Sequence, residues 1–197
     1  MKKKTLALVL ALTLVVVGVV SGTLAWLTAK SDTVVNIFTT SDIKVELTET
    51  KGTGTGNIRE FKMVPGYTIK KDPQAKVLTG SEECFLFVKL TKSGSFDTYL
   101  EYIPADGWTQ LTKDEDGKDI TDLVYYREVL STDIGTAYSV LKNDQVTVKG
   151  SVTKTLMDAL NAQGAVKPAL TITAYASQLH KNADADFTPA EAWANIQ

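Results

Sequence analysis

A chain of 197 residues, 44% hydrophobic and 22% charged, is long enough to bury a core and too apolar to be disordered throughout. Its net charge is −2; with Lys2, Lys3 and Lys4 set aside, 18 basic residues face 23 acidic ones, a balance of −5 that argues against nucleic-acid binding. The single cysteine, Cys84, rules out an internal disulfide.

The chain opens with a positive stretch, Met1-Lys-Lys-Lys4, followed by Leu6 to Val20, which holds only Leu, Ala and Val apart from one Thr and one Gly. Ser21 and Gly22 break the run, and Thr23-Leu24-Ala25 then sets small residues at the −3 and −1 positions of a peptidase site. That three-part order predicts a hydrophobic signal-peptide helix over residues 1–25, with the mature chain starting at Trp26. A cut after Leu27-Thr28-Ala29 satisfies the same small-residue rule. Left uncut, the uncharged stretch from Thr5 to Ala29 is long enough for a membrane anchor, which needs about 20 residues. No second long apolar run follows, so the remainder is expected to be soluble and to meet a membrane only through an uncleaved signal.

Residues 26–38 form an extended N-terminal segment. Written as a strand, its odd positions, Leu27, Ala29, Ser31, Thr33, Val35 and Ile37, are apolar or small and uncharged. Its even positions carry both charges, Lys30 and Asp32, so one face can be buried while the other stays wet. The pattern fits a strand given to a neighbouring molecule, the first strand of the chain's own domain, or a frayed terminus.

Residues 39–197 read as one β-rich domain. Asp42 to Thr48 alternates, with Ile43, Val45 and Leu47 on one face. Lys51 to Asn57, with three glycines, is a flexible loop; Arg59 to Val64 is a further strand, closed by a Pro65-Gly66 turn. Phe85 to Leu90 is apolar on both faces and predicts a central strand. Ser95 precedes a helical stripe of Phe96, Tyr99, Leu100 and Ile103 that Pro104 stops. Strands follow at Leu123–Leu130, Ala137–Leu141 and Val146–Lys149, the last two joined by a Lys142-to-Gln145 turn. Val152, Leu156, Ala159 and Leu160 predict a second helix with Gly164 at its exit. Leu170 to Ala176 is a last strand, with Leu170, Ile172 and Ala174 inward. Thr188-Pro-Ala-Glu191 is a capping box with Pro at the first helical position, and Trp193 anchors that short helix. Some seven strands with two or three short helices predict a mainly β fold, a β-sandwich or jelly roll.

Chemistry is sparse. His180 is the only histidine and lies in a polar strand-to-loop segment, which fits a solvated side chain better than a triad member. One His and one Cys cannot supply a zinc site. Cys84, at the start of an apolar strand, reads as a small hydrophobe. Asp114 to Asp119 lacks the twelve-residue frame and closing Glu of an EF-hand and reads as a solvated turn, as do Asp184 and Asp186. There is no phosphate loop and no nucleophile elbow, and nothing singles out a carboxylate pair for glycoside hydrolysis. The expectation is a protein without catalytic residues, metal or cofactor.

Gly22 to Phe38, followed by the alternating Ile43 to Leu47, resembles the TasA/camelysin family of Firmicutes, whose members are exported through a dedicated SipW-type signal peptidase. Val64-Pro-Gly-Tyr-Thr-Ile-Lys-Lys-Asp72 is similar to that family's Pro-Gly turn and Lys-Asp strand, and Ile172 to Ala176 and Ala190 to Trp193 resemble endings in clostridial relatives. These stretches cover about a third of the chain; Ser93 to Gly164 carries no likeness. The resemblance implies a secreted, Gram-positive cell-surface or extracellular biofilm-matrix protein with a jelly-roll domain. It further implies self-association, or association with related matrix subunits, into fibres, with Trp26 to Phe38 as the donor strand. A monomeric secreted binding module on the same fold is the alternative. Some relatives are described as metalloproteases, a role for which this chain lacks the ligands.

Overall fold

The computed structural model describes Lys3, residues 42–54 and residues 58–196, and the elements below fall within one unit, Thr40–Gln197. Apart from Lys3, the expected signal peptide of residues 1–25 with its Thr23 and Ala25, and the segment 26–38 that begins at Trp26 and holds the alternating Leu27 to Ile37, lie outside the described residues.

The fold is mainly β. The strands in order are β1 (Val45–Thr48), β2 (Thr68–Lys70), β3 (Gln74–Val77), β4 (Cys84–Lys92), β5 (Leu100–Glu101), β6 (Thr109–Lys113), β7 (Asp119–Val129), β8 (Ala137–Ser139), β9 (Gln145–Val148), β10 (Leu170–Gln178), β11 (His180–Asn182) and β12 (Ala185–Asp186). Within this unit, among the described residues, three short α-helices interrupt them, α1 (Phe96–Tyr99) before β5, α2 (Lys154–Leu160) after β9 and α3 (Pro189–Ala194) at the end, with a 3-10 turn at Lys142–Asp144 before β9. Among the described residues every ladder is antiparallel. A four-stranded sheet runs β10-β4-β7-β6, two three-stranded sheets run β1-β3-β8 and β2-β9-β5, and β11 pairs with β12.

The even-numbered row of β4, Cys84, Leu86, Val88 and Leu90, packs with Ala75 and Val77 of β3 and Val146 and Val148 of β9 in the main core. Both three-stranded sheets therefore cover one face of the four-stranded sheet. The odd row, Phe85 and Phe87, faces the other way into a second cluster with Leu111, Val124, Leu179 and Trp193. Burial on both sides is what makes β4 read as a continuous apolar run. The inward row expected for β10 is present, since Leu170, Ile172 and Ala174 pack on the main core.

Local signals decide the turns and the last helix. Tyr67 N donates to Val64 O at 3.0 Å, and Gly66 takes φ +80°, the positive value a type II turn requires at that position. At α3 the capping box is complete: the Thr188 hydroxyl accepts from Glu191 N, and the Glu191 carboxylate accepts from Thr188 N at 2.9 Å. Trp193 is only 5% exposed, 5.2 Å from the Phe87 ring and 5.4 Å, edge-on, from Tyr175.

Three expectations are corrected. The helix from Phe96 to Ile103 is a single turn: Leu100 is extended, and β5 pairs Leu100 with Val148 and Glu101 with Thr147. Ladder pairing overrides a favourable helical spacing here, and Ile103 is 64% exposed. Arg59 to Val64 keeps its period of two, with Arg59, Phe61 and Met63 half-buried, yet forms no strand beyond an isolated Thr53–Glu60 bridge. In α2 it is Leu156, Met157 and Leu160 that turn inward, while Ala159 is exposed. β2, β3, β5, β6, β11 and β12 are strands the periodicity did not announce.

Candidate assembly edge and the side chains around it

The four-stranded sheet has two edges of different character. β6 is five residues long, ends in Lys113 and shifts register between Leu111 and Lys113, so its edge is charged, short and irregular. Those are the usual protections against another chain adding itself. β10 has none of them. Its nine residues, Leu-Thr-Ile-Thr-Ala-Tyr-Ala-Ser-Gln, include no charge and no proline, and they run in unbroken register with β4 from Leu170–Lys92 to Gln178–Cys84. Among the described residues no strand pairs with its outer side; β1 approaches it without forming a ladder.

Beside the start of β10 opens a cleft of about 390 Å³. Its apolar walls come from Ile69 of β2, Val146 of β9, Leu100 of β5 and Phe96 of α1, with Phe61 and Met63 from the segment before β2. Lys71 at this cleft is committed elsewhere: its Nζ lies 2.8 Å from Glu49 Oε2, with both side chains mostly buried, and 5.5 Å from the centre of the Phe61 ring. Arg59, Glu60 and Lys167 also line the cleft, so its surface is mixed, with an apolar wall beside charged side chains.

The remaining polar candidates are structural. His180 sits on β11, with Nδ1 2.6 Å from Asp186 Oδ1 and Nε2 2.9 Å from Glu83 Oε2. Hydrogen bonds to Asp186 first, then to Glu83, raise its pKa and favour the imidazolium. Glu83 is held below the ordinary carboxylate range, mainly by Ser131 N donating to its Oε1 at 2.8 Å, and then by His180. With both ring nitrogens donating to carboxylates, neither is left to accept a proton from a nucleophile. His180 is solvent-exposed, as expected, but it lies on a strand and is ion-paired rather than free in a loop. Glu83 was the missed partner, because nothing in a sequence links positions 83 and 180.

Cys84 is fully buried, and burial pushes its thiol up to about 11, opposite to what a reactive thiolate needs. Asp114 Oδ1 accepts from Asp116 N and Lys118 N, Asp114 O accepts from Gly117 N, and Lys113 pairs with Asp119; these contacts close the β6–β7 turn. Asp184 N donates to Asn182 Oδ1 within the β11–β12 turn. Among the described residues no three His, Cys, Asp or Glu side chains group to hold a metal, and no helix is long and apolar enough to cross a membrane. No family profile, curated protein or solved structure matches this chain.

Proposed function

We propose that this chain is an exported structural protein of the cell surface or extracellular matrix that assembles by adding a strand of one copy to the sheet of the next. The observation that carries the proposal is the outer edge of β10: nine residues, uncharged, proline-free, unbulged and without a ladder partner among the described residues. An open edge of that kind offers a row of backbone N–H and C=O groups to an incoming strand, and main-chain hydrogen bonds then supply the affinity.

The incoming strand is Trp26 to Phe38 of a second copy. Its uncharged odd-numbered row suits burial, and the cleft beside the start of β10, apolar along the wall formed by Phe61, Met63, Ile69, Phe96, Leu100 and Val146, is large enough to receive Val35 and Ile37. Layered antiparallel sheets support a jelly-roll domain, and the order of charge, apolar run and small residues over 1–25 supports export with removal of that segment by a signal peptidase. The cleft also favours a second reading, a monomeric secreted module that binds a small apolar ligand and has no catalytic residues.

Hydrogen exchange separates the two. In the assembling account, amides of β10 that exchange quickly in the chain lacking residues 26–38 become protected when a synthetic peptide of residues 26–38 is added, and a peptide with Val35→Asp and Ile37→Asp has no effect. Unchanged exchange at β10 with saturating peptide refutes strand addition.

A further inference from the structure

The cleft beside the start of β10 changes character from floor to opening. Phe96 of α1, Leu100 of β5 and Val146 of β9 line it and are buried, so they form its floor. Phe61, Met63 and Ile69 are half-buried and make its walls. None of these side chains carries a hydrogen-bonding group, so whatever enters to that depth must be hydrocarbon. A volume of about 390 Å³ lies at the small end of ligand pockets.

The opening is charged. Ile58 and Lys167 line the cleft and are exposed, Ile58 to 70%, which places them at its mouth together with Arg59 and Glu60. Lys71 is neutralised by Glu49 at 2.8 Å, and Arg59 and Glu60, neighbours in the chain, offset each other in charge. Lys167 has no such counterpart: among the described residues it forms no ion pair, and only its backbone carbonyl is engaged, by the Ser93 hydroxyl at 3.3 Å. The backbone that carries it is fixed. Ser93 N donates to Ala169 O at 2.9 Å, and Ala169 N donates to Ser93 Oγ at 2.9 Å.

We infer that this cleft binds a straight-chain monocarboxylate of medium length, with its hydrocarbon tail on the floor of Phe96, Leu100 and Val146 and its carboxylate at Lys167. The lysine stem adds apolar contact while its head stays wet. Because that head is exposed, its pairing is worth at most about fivefold in affinity. The tail supplies the rest, at about fourfold per buried methylene. The site is complete within one copy, so it rests on the ligand-binding alternative for this cleft and not on strand addition, with which it would compete.

The test uses the monomer fraction of the secreted chain, labelled with ¹³C at its methionine methyls and titrated by NMR. Met63 lines the cleft, whereas Met157 lies in α2 outside that lining, so the first reports binding and the second controls for unspecific uptake. Octanoate should give a saturable shift at Met63 with Met157 unmoved, and should bind more tightly than hexanoate by about fourfold per methylene. Octanol should bind about threefold more weakly than octanoate, and octyltrimethylammonium more weakly still. Lys167→Glu, a change at an exposed position, should reverse the order of octanoate and octyltrimethylammonium. Equal affinity for those two probes in the unmodified chain overturns the inference, as does an unchanged preference for octanoate in Lys167→Glu or an equal shift at Met157. If octanol matches octanoate, the carboxylate assignment falls while the cleft keeps an apolar ligand; no shift at Met63 with any probe ends both. Neither result bears on strand addition, which hydrogen exchange at β10 decides.

Discussion

Replacing Trp193 by alanine measures how much of the domain's stability rests on its last helix. Trp193 is 5% exposed and closes the second core cluster over Phe85, Phe87 and Leu111. An aromatic side chain of its size buries about 200 Å², which at about 25 cal/mol per Å² amounts to about 5 kcal/mol. The share alanine keeps and the burial already present in the unfolded chain reduce that to about 3 kcal/mol. Loss of the ring pairs with Phe87 at 5.2 Å and Tyr175 at 5.4 Å adds about 1–2 kcal/mol. Trp193→Ala should therefore cost about 4–5 kcal/mol, within the range of large-to-small changes in packed cores. Urea unfolding followed by far-ultraviolet circular dichroism reads the loss, and hydrogen exchange should show the segment from Leu179 to Ile196 opening before β4 does. A loss under about 1 kcal/mol with an unchanged slope would mean that α3 is an ornament on a core complete without it, and would refute this account of the second cluster.

Further outcomes follow from the same contacts. His180 should titrate above its ordinary 6.5, and Asp186→Asn should lower its midpoint more than Glu83→Gln, as the order of the two hydrogen bonds requires. Because its folded pKa is the raised one, its contribution is complete below about pH 6.5 and fades as pH rises through the folded value, so His180→Gln should remove the pH dependence of stability between those two values. Cys84 should resist iodoacetamide at pH 8 in the folded protein and react fully in denaturant; rapid labelling of the native chain would contradict its burial. Thr188→Ala removes the N-cap of α3 and should cost about 1 kcal/mol in the urea midpoint, with Thr188→Ser close to the unmodified chain. N-terminal sequencing of secreted protein should find Trp26 first; a start at Lys30 favours the later cut, and an intact Met1 a membrane anchor.

The elements most legible in the sequence were those whose signal is local. The capping box at Thr188, the Pro65-Gly66 turn and the doubly apolar run of β4 each carry their reason within a few residues. The misread elements depend on distant partners. Leu100 and Glu101 belong to a strand only because β9 lies beside them, and Arg59 to Val64, with equally good alternation, finds only a single bridge. Strands as short as β2 and β5 give a window too brief for any period to register. Part of the candidate site was open to reading: the uncharged alternation from Leu170 to Ala176 marked a strand, and its inward row was correctly assigned. That this strand lies at the edge of its sheet is a matter of topology and has no sequence signal. The same holds for His180, whose two carboxylate partners come from positions 83 and 186.

The central claim, assembly by strand addition at β10, is tested most directly by negative-stain electron microscopy of three secreted forms at equal concentration. These are the unmodified chain, the chain lacking residues 26–38, and a Thr171→Lys, Thr173→Glu double variant that places charges on the exposed positions of the open edge. The account predicts filaments from the first and folded, dispersed monomers from the other two, with thermal midpoints within a few degrees of one another. Normal filaments from the truncated chain, or no filaments from the unmodified one, would contradict it.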